Sequence, residues 1–253
     1  MKVTFLGTGG SFGVPTIGCE CEVCTSSDPK DKRLRCSALL ETESTRILID
    51  CGPDFRQQIL TQPFKRIDGI LLTHTHYDHV GGLDDIRSFC TFGNIDIYAD
   101  QISSDSLHHS IPYCFKDRKY PGVPEITLNV ISAHQQLKIG DIDIMPIEIM
   151  HGTLPILGYR FGRFAYITDM KTIADTELPY LDGVEVLVVN ALRFDRPHHS
   201  HQLVGDAIAF SRKIGAKRTL FIHSCHTIGK QAEVNKMLPN GFEMAYDGQI
   251  IEV

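Results

Sequence analysis

Short apolar runs broken by turn residues organise this chain. In the first half, segments 2–6, 38–41, 46–49, 69–72 and 95–99 combine β-branched and aromatic residues in the pattern of strands. Segment 54–60, which follows Pro53, and segment 101–109 read as helices. The second half repeats the theme with strands at 126–131, 142–149, 157–161 and 164–168. Segments 184–189 and 219–222 are continuously apolar, as strands covered on both faces are. Between them Leu203, Ala207, Ile208, Phe210 and Ile214 recur at helical spacing, which predicts an amphipathic helix opened by His201 and laid over a sheet. Two strand-rich halves, each followed by helices, predict an α/β fold (α+β layered), an αββα sandwich of two sheets with helices outside. No linker, low-complexity tract or short repeat interrupts residues 1–253, so one domain is expected.

Composition narrows the class. With 42% hydrophobic and 22% charged residues the chain reads as an ordinary globular protein, and no apolar run reaches the length of a membrane span. Residues 1–7 read as a first strand and not as a secretory leader, so a cytoplasmic location and no membrane partner are expected. The net charge of −6 argues against a broad nucleic-acid surface, yet leaves room for a small phosphate-bearing substrate. Of the 8 cysteines, Cys19, Cys21 and Cys24 crowd together, which in a reducing compartment points to metal ligation. Cys36, Cys51, Cys90, Cys114 and Cys225 are scattered and read as small buried hydrophobes.

The chemistry concentrates after the apolar run Ile70-Leu71-Leu72. There Thr73-His74-Thr75-His76-Tyr77-Asp78-His79 supplies three imidazoles and a carboxylate, followed by Gly81-Gly82, a pair that lets the backbone turn tightly. In an extended segment His74 and His76 share a side, because side-chain direction repeats every two residues. The cluster exceeds what one four-coordinate ion uses, so it points to two ions. His151, Asp169 and His223 each stand at the end of a predicted strand, where a sheet edge can bring them to the same place.

On these residues the chain resembles the metallo-β-lactamase superfamily, whose HxHxDH motif is matched by His74, His76, Asp78 and His79. Carried over, the resemblance implies that His74, His76 and His151 hold one divalent ion. Asp78, His79 and His223 would then hold the second, with Asp169 bridging them. Within the superfamily, GTGGSFGVP followed by Cys19-Glu20-Cys21-Glu22-Val23-Cys24 resembles the phosphonate-pathway (PhnP-like) phosphodiesterases that open a phosphoribosyl cyclic phosphate. That likeness implies a structural zinc on Cys19, Cys21, Cys24 and His226. A closed thiolate site wants one more nitrogen or sulfur, and Cys225 is the rival to His226.

The resemblance implies hydrolysis of a small cyclic or ribose-linked phosphodiester through a metal-bridging hydroxide, with Mn2+ or Zn2+ as the two catalytic ions. Asp78 and His201 are the candidate catalytic residues. His201 is placed beside the leaving group, a task that suits a histidine titrating near neutrality. Met170 after Asp169 and Gly152 after His151 depart from the phosphodiesterase pattern, which leaves the substrate less defined than the reaction. The segment 111–121 reads as a surface connection, with a substrate lid or a homodimer contact as its functional alternatives, and Arg33 and Arg35 are candidate phosphate contacts.

Other activities fit less well. A tRNA-maturing endonuclease of this fold carries a long basic arm, which is not seen here, and a glyoxalase-type thioester hydrolase lacks the cysteine cluster. A catalytically silent metal-binding protein would have lost ligands, whereas every ligand position is filled.

Overall fold

The computed structural model describes residues 1–116, 118 and 120–253. Strands β1 (Lys2–Gly7), β2 (Ser37–Glu41), β3 (Arg46–Ile49), β4 (Gly69–Leu71), β5 (Ile95–Ala99) and β6 (Ile126–Val130) come from the first half. Strands β7 (Leu137–Ile139), β8 (Ile142–His151), β9 (Leu154–Phe161), β10 (Phe164–Ile167), β11 (Val186–Asn190), β12 (Arg218–Ile222) and β13 (Phe242–Met244) follow, and β14 (Ile250–Glu252) returns to the first half. Among the described residues they form two seven-stranded sheets, ordered β14-β1-β2-β3-β4-β5-β6 and β13-β12-β11-β10-β9-β8-β7.

The two sheets share one plan. In the first, β14 to β3 pair antiparallel and β3 to β6 parallel. In the second, β7 to β10 pair antiparallel and β10 to β13 parallel. The sequence shows no repeat, because pairing direction constrains only the alternation of buried positions and not their identities.

Alternation along the strands builds the layers. On β2, Ala38 and Leu40 face a core between the sheets while Leu39 faces an outer core. On β12, Leu220 and Ile222 face inward and Phe221 outward. The outer core of the first sheet takes Phe55 from helix α1 (Phe55–Ile59) and Leu107 from helix α3 (Gln101–Ser110). That of the second takes Ala207 and Phe210 from helix α4 (Val204–Ile214) and Val234 from helix α5 (Gln231–Met237). Helix α2 (Tyr77–Val80) is a single turn beyond β4. Each fully buried Leu, Ile or Phe contributes about 1.5–3 kcal/mol relative to exposure, so both faces of each sheet are held strongly. This is the αββα sandwich that the sequence predicts.

Differences lie at short elements and one helix start. Helix α4 begins at Val204, not His201, because Leu203 caps it in extended conformation and its N–H donates to the Asp206 carboxylate at 3.1 Å. His201 therefore stands in the preceding loop. Strands β7, β13 and β14 span three residues each, too few for a period to show. No helix among the described residues is long and apolar enough to cross a membrane.

Candidate metal centre

Strand ends place the centre. Asp50 follows β3, the 73–79 segment follows β4, His151 ends β8, Asp169 lies just past β10 and His223 follows β12. Asp50, Asp169 and His223 adopt left-handed backbone, with φ of 56°, 58° and 54°. Such strain in side chains with a Cβ persists where surrounding structure over-determines it, and it concentrates at functional sites. Here it turns each side chain off its strand at the seam between the sheets.

The glycines near the motif act differently from the turn expected of Gly81-Gly82. Gly82 has φ of −99°, open to any residue, but a Cβ there would lie 2.1 Å from the Gly52 carbonyl oxygen. A Cβ on Gly52 would lie 2.1 Å from the Asp78 carbonyl oxygen. Close backbone approach is what excludes side chains at this point. It lets the Cys51 N–H donate to the His79 carbonyl at 2.7 Å, which fixes the short turn that carries Asp78 and His79.

Two donor sets result. Ligand atoms of His74, His76 and His151 lie within 4.8 Å of one another, as do those of Asp78, His79 and His223. Asp169 joins them. Its Oδ1 is 3.1 Å from His223 Nε2 and its Oδ2 3.2 Å from His79 Nε2, and Asp169 groups with His74 and His79 at the same spacing. His74 Nε2 and His76 Nδ1 are 3.0 Å apart, so both rings face one point, as their alternation along the chain requires.

The donors fit divalent transition ions by their chemistry and by their orphaned atoms. His79 Nε2 and His223 Nε2 are buried without a hydrogen-bond partner among the described residues, as ligand nitrogens are before an ion is bound. Burial would push the Asp169 carboxyl up, but the charges of His223 and His79 win and hold it well below the carboxylate range. Burial likewise opposes ionisation of Asp78, yet the imidazoles of His223 and His79, whose Nε2 atoms lie 3.5 and 3.3 Å from its Oδ2, keep it an anion. Burial, with His79 nearby, drives the His74 imidazole well below its ordinary value. Ionised carboxylates and a neutral His74 are the forms a metal needs, whereas His79, whose pKa burial would lower but Asp169 and Asp50 raise well above its ordinary value, releases a proton when an ion binds.

A supporting shell went unnoticed in the sequence. Asp50 is fully buried, and its carboxylate sits 2.7 Å from His79 Nδ1 while accepting from the Thr73 N–H and hydroxyl, both at 2.8 Å. Thr73 Oγ1 in turn lies 3.0 Å from His74 Nδ1. One carboxylate thus orients an imidazole of each donor set, the arrangement that fixes tautomer and ring direction at metal sites. Asn190 clamps Met170 through both backbone groups, at 2.8 and 3.0 Å, so the methionine is held by its main chain. Gly152 has φ of 64°, a left-handed conformation that any residue with a Cβ would strain.

His201 is buried at the centre, its Nδ1 3.6 Å from Asp169 Oδ1 and its ring 4.7 Å from that of His223. The expectation of titration near neutrality fails: burial and the neighbouring His223 push its pKa down to about 2, so the imidazole is neutral. Lys171 Nζ donates to the His201 carbonyl at 3.2 Å and holds its loop.

The second cluster assembles the N-terminal loop against the segment after β12. His226 Nδ1 lies 3.4 Å from Cys19 Sγ and 3.2 Å from Cys21 Sγ, and Cys24 completes a set within 4.8 Å. Cys225 turns away, its Sγ 3.2 Å from the Leu192 carbonyl. The hydrogen bond to His226 lowers the Cys21 thiol to about 6, while burial raises Cys24 to about 11. Three sulfurs and a nitrogen fit a closed zinc site.

Two expectations fall elsewhere. Arg33 is buried and donates to the Thr8 hydroxyl and the Ala245 carbonyl, and Arg35 pairs with Asp54 at 2.9 Å, so both brace the fold. Within segment 111–121, Pro112–Phe115 packs on the outer core of the first sheet, with the Tyr113 hydroxyl donating to Asp84. Asp117 and Lys119 of that segment lie outside the described residues.

The family model of the beta-lactamase superfamily domain matches residues 45–224. An octanoyltransferase of Porphyromonas gingivalis is 43% identical over 249 residues, covering 98% of this chain and 51% of that protein, so the chain spans about half the length of this relative. Among solved structures, a diphosphatase from the PhnP family superposes with a TM-score of 0.91 at 36% identity, over 100% of this chain and 97% of that one. Zn(2+)-bound PqqB from Methylobacterium extorquens shares the fold, with a TM-score of 0.81 at 19% identity over 100% of both chains.

Proposed function

This chain belongs to the beta-lactamase superfamily and, within it, to the PhnP family, and from that membership we propose that it is a metal-dependent phosphodiesterase acting on a small cyclic or ribose-linked phosphodiester. The observation that carries this reading is the pair of three-residue donor sets joined by Asp169. The diphosphatase relative supports phosphoryl chemistry. The net charge of −6 supports a small substrate over a nucleic acid.

His74, His76 and His151 would hold one divalent ion and Asp78, His79 and His223 the other, with Asp169 shared and manganese or zinc suited to both. Bound there, the ions supply an activated water and neutralise phosphoryl charge at neutral pH. In the hydrolysis the water oxygen bonds to phosphorus and the P–O bond to the leaving oxygen breaks. Of the water's two protons, one goes to the leaving oxygen, by way of the site, and one to solvent. Asp169 and Asp78 keep the centre anionic and able to take the ions. His201, neutral at rest, presents an imidazole N–H to the leaving oxygen as charge develops on it. Cys19, Cys21, Cys24 and His226 would hold a structural zinc that staples the N-terminal loop beside the centre. Outside the cell's reducing interior this thiolate set would be exposed to oxidation, which supports a cytoplasmic location.

A screen of reconstituted protein decides among activities. It spans bis-p-nitrophenyl phosphate, cyclic ribose phosphates, cyclic nucleotides, a thioester and a pre-tRNA with a 3′ trailer. Turnover of the small diesters is expected. Preferential cleavage of the trailer or of the thioester overturns the reading.

A further inference from the structure

A residue that aims an N–H at a leaving oxygen needs a fixed ring, yet no hydrogen bond among the described residues fixes that of His201. Its Nδ1 is buried without a partner and stands 3.6 Å from the Asp169 carboxylate, too far to be held by it. Lys171 ties only the main chain, by donating to the His201 carbonyl at 3.2 Å.

Other rings place this one. His151 and His223 lie against it at centroid distances of 4.8 and 4.7 Å, tilted by 54° and 31°. Both belong to the donor sets, which set their directions. The third neighbour is His198, 4.8 Å away and stacked at 29°, and it belongs to neither set. His198 is itself pinned. The Ser200 N–H and hydroxyl approach its Nδ1 at 3.3 and 3.2 Å, and a backbone N–H can only donate, so Nδ1 accepts and the ring proton sits on Nε2. His199 packs on His198 in turn, 4.4 Å away. With His199 exposed, His198 half-buried and His201 buried, three imidazoles run from solvent into the centre. Flat rings at this spacing attract one another beyond the area they bury. Stacking also leaves both ring nitrogens of His201 free, whereas a hydrogen bond would occupy one of them.

We infer that His198 is a positioning residue: its ring, locked by Ser200, stacks on His201 and keeps that imidazole's N–H turned toward the leaving oxygen. The inference rests on the phosphodiesterase reading and deepens it. His198 acts through His201 and makes no bond to the reacting atoms. It also borders a cavity of about 380 Å³ beside His201, so a direct contact with substrate is the rival role. The two roles separate chemically, because stacking needs only a flat ring while direct contact needs the Nε2 proton. Phenylalanine keeps the first and lacks the second.

Two diesters that differ only in the leaving group, methyl p-nitrophenyl phosphate and methyl phenyl phosphate, test this with reconstituted wild type, His198→Ala and His198→Phe. In His198→Ala, kcat and kcat/KM for the phenyl ester are expected to fall together by about 10–100-fold, as for a misplaced group that acts only in the transition state. The p-nitrophenyl ester, whose leaving oxygen needs less help, loses far less. His198→Phe recovers most of the phenyl ester rate. Proton NMR of the metal-free protein gives a readout independent of turnover: the His201 ring protons shift in His198→Ala and return toward their wild-type positions in His198→Phe.

Equal losses on both esters, wild-type rates in His198→Ala, or His201 signals that ignore the alanine overturn the inference and leave the phosphodiesterase reading standing. A His198→Phe variant as slow as His198→Ala also overturns it, in favour of direct contact through Nε2. So does wild type that turns over the p-nitrophenyl ester alone, since His201 then gives the leaving group no help to be positioned for. If wild type hydrolyses neither ester, the parent reading falls and the inference with it.

Discussion

Asp50 Oδ2 stands 2.7 Å from His79 Nδ1 with both side chains fully buried beneath the ligand surface. Because the same carboxylate accepts from Thr73, which touches His74, its loss loosens both donor sets. Asp50→Ala is expected to weaken metal binding by about 10–100-fold. Competition titration against a chelating dye measures it, and unchanged affinity would remove Asp50 from the centre.

His76 is exposed, so its removal costs the core little. His76→Ala should abolish diester turnover while the unfolding midpoint of the metal-free protein stays within about 2 °C, since surface changes are usually within about 0.5 kcal/mol. Wild-type turnover by this variant would sink the mechanism.

Cys21 belongs to the other cluster, and its loss should show first in stability. Cys21→Ala is expected to lower the thermal midpoint, by about 2–4 °C per kcal/mol in a chain of this size, before it lowers kcat. Metal analysis of reconstituted wild type should approach three ions per chain, and the variant should bind one fewer. Three ions in the variant would place the thiolates outside any metal site.

His201 contacts the leaving group in this scheme, so its effect should depend on that group's basicity. His201→Gln is expected to slow an alkyl diester by about 10²–10⁴-fold and a p-nitrophenyl diester far less, with metal content retained. Equal losses on both substrates would make the residue structural.

Asp247, which is not among the candidate ligands, supplies a pH test. Burial raises its carboxyl from 3.8 to about 6, although the Leu34 N–H, the Thr8 hydroxyl and Arg33 all act to lower it. The folded protein holds this proton more tightly than the unfolded chain does. Its contribution is therefore most favourable below about 3.8 and is lost as pH rises through about 6. The amount is about 3 kcal/mol from the two values. Denaturant unfolding at pH 4 and pH 7 should show that difference shrink in Asp247→Asn relative to wild type. An identical pH dependence in both proteins would contradict the buried proton.

The candidate donors that the fold brings together were legible in the sequence because metal chemistry restricts residue types and because the HxHxDH spacing is local. His151, Asp169 and His223 were legible one level up, as residues at the ends of apolar runs. Asp50 was not, since an aspartate after Arg46–Ile49 looks like any turn residue until β3 and β4 lie side by side. Arg33 misled for the opposite reason, because a buried arginine and a surface one read alike until the fold encloses the first. The start of α4 was missed because the polar run 198–202 resembles a helix entry, whereas the cap falls at Leu203.

The shared plan of the two sheets has a consequence for how the protein is held shut. Each donor set draws on both halves of the chain: His74 and His76 with His151 in one, Asp78 and His79 with His223 in the other. An ion at either position is thus a rivet across the seam, and its free energy of binding adds to the docking of one half on the other. By mass action that added stability grows with free metal, about 2.7 kcal/mol at a hundredfold excess over Kd. Scarcity of metal would do more than empty the centre: it would ease the two halves apart.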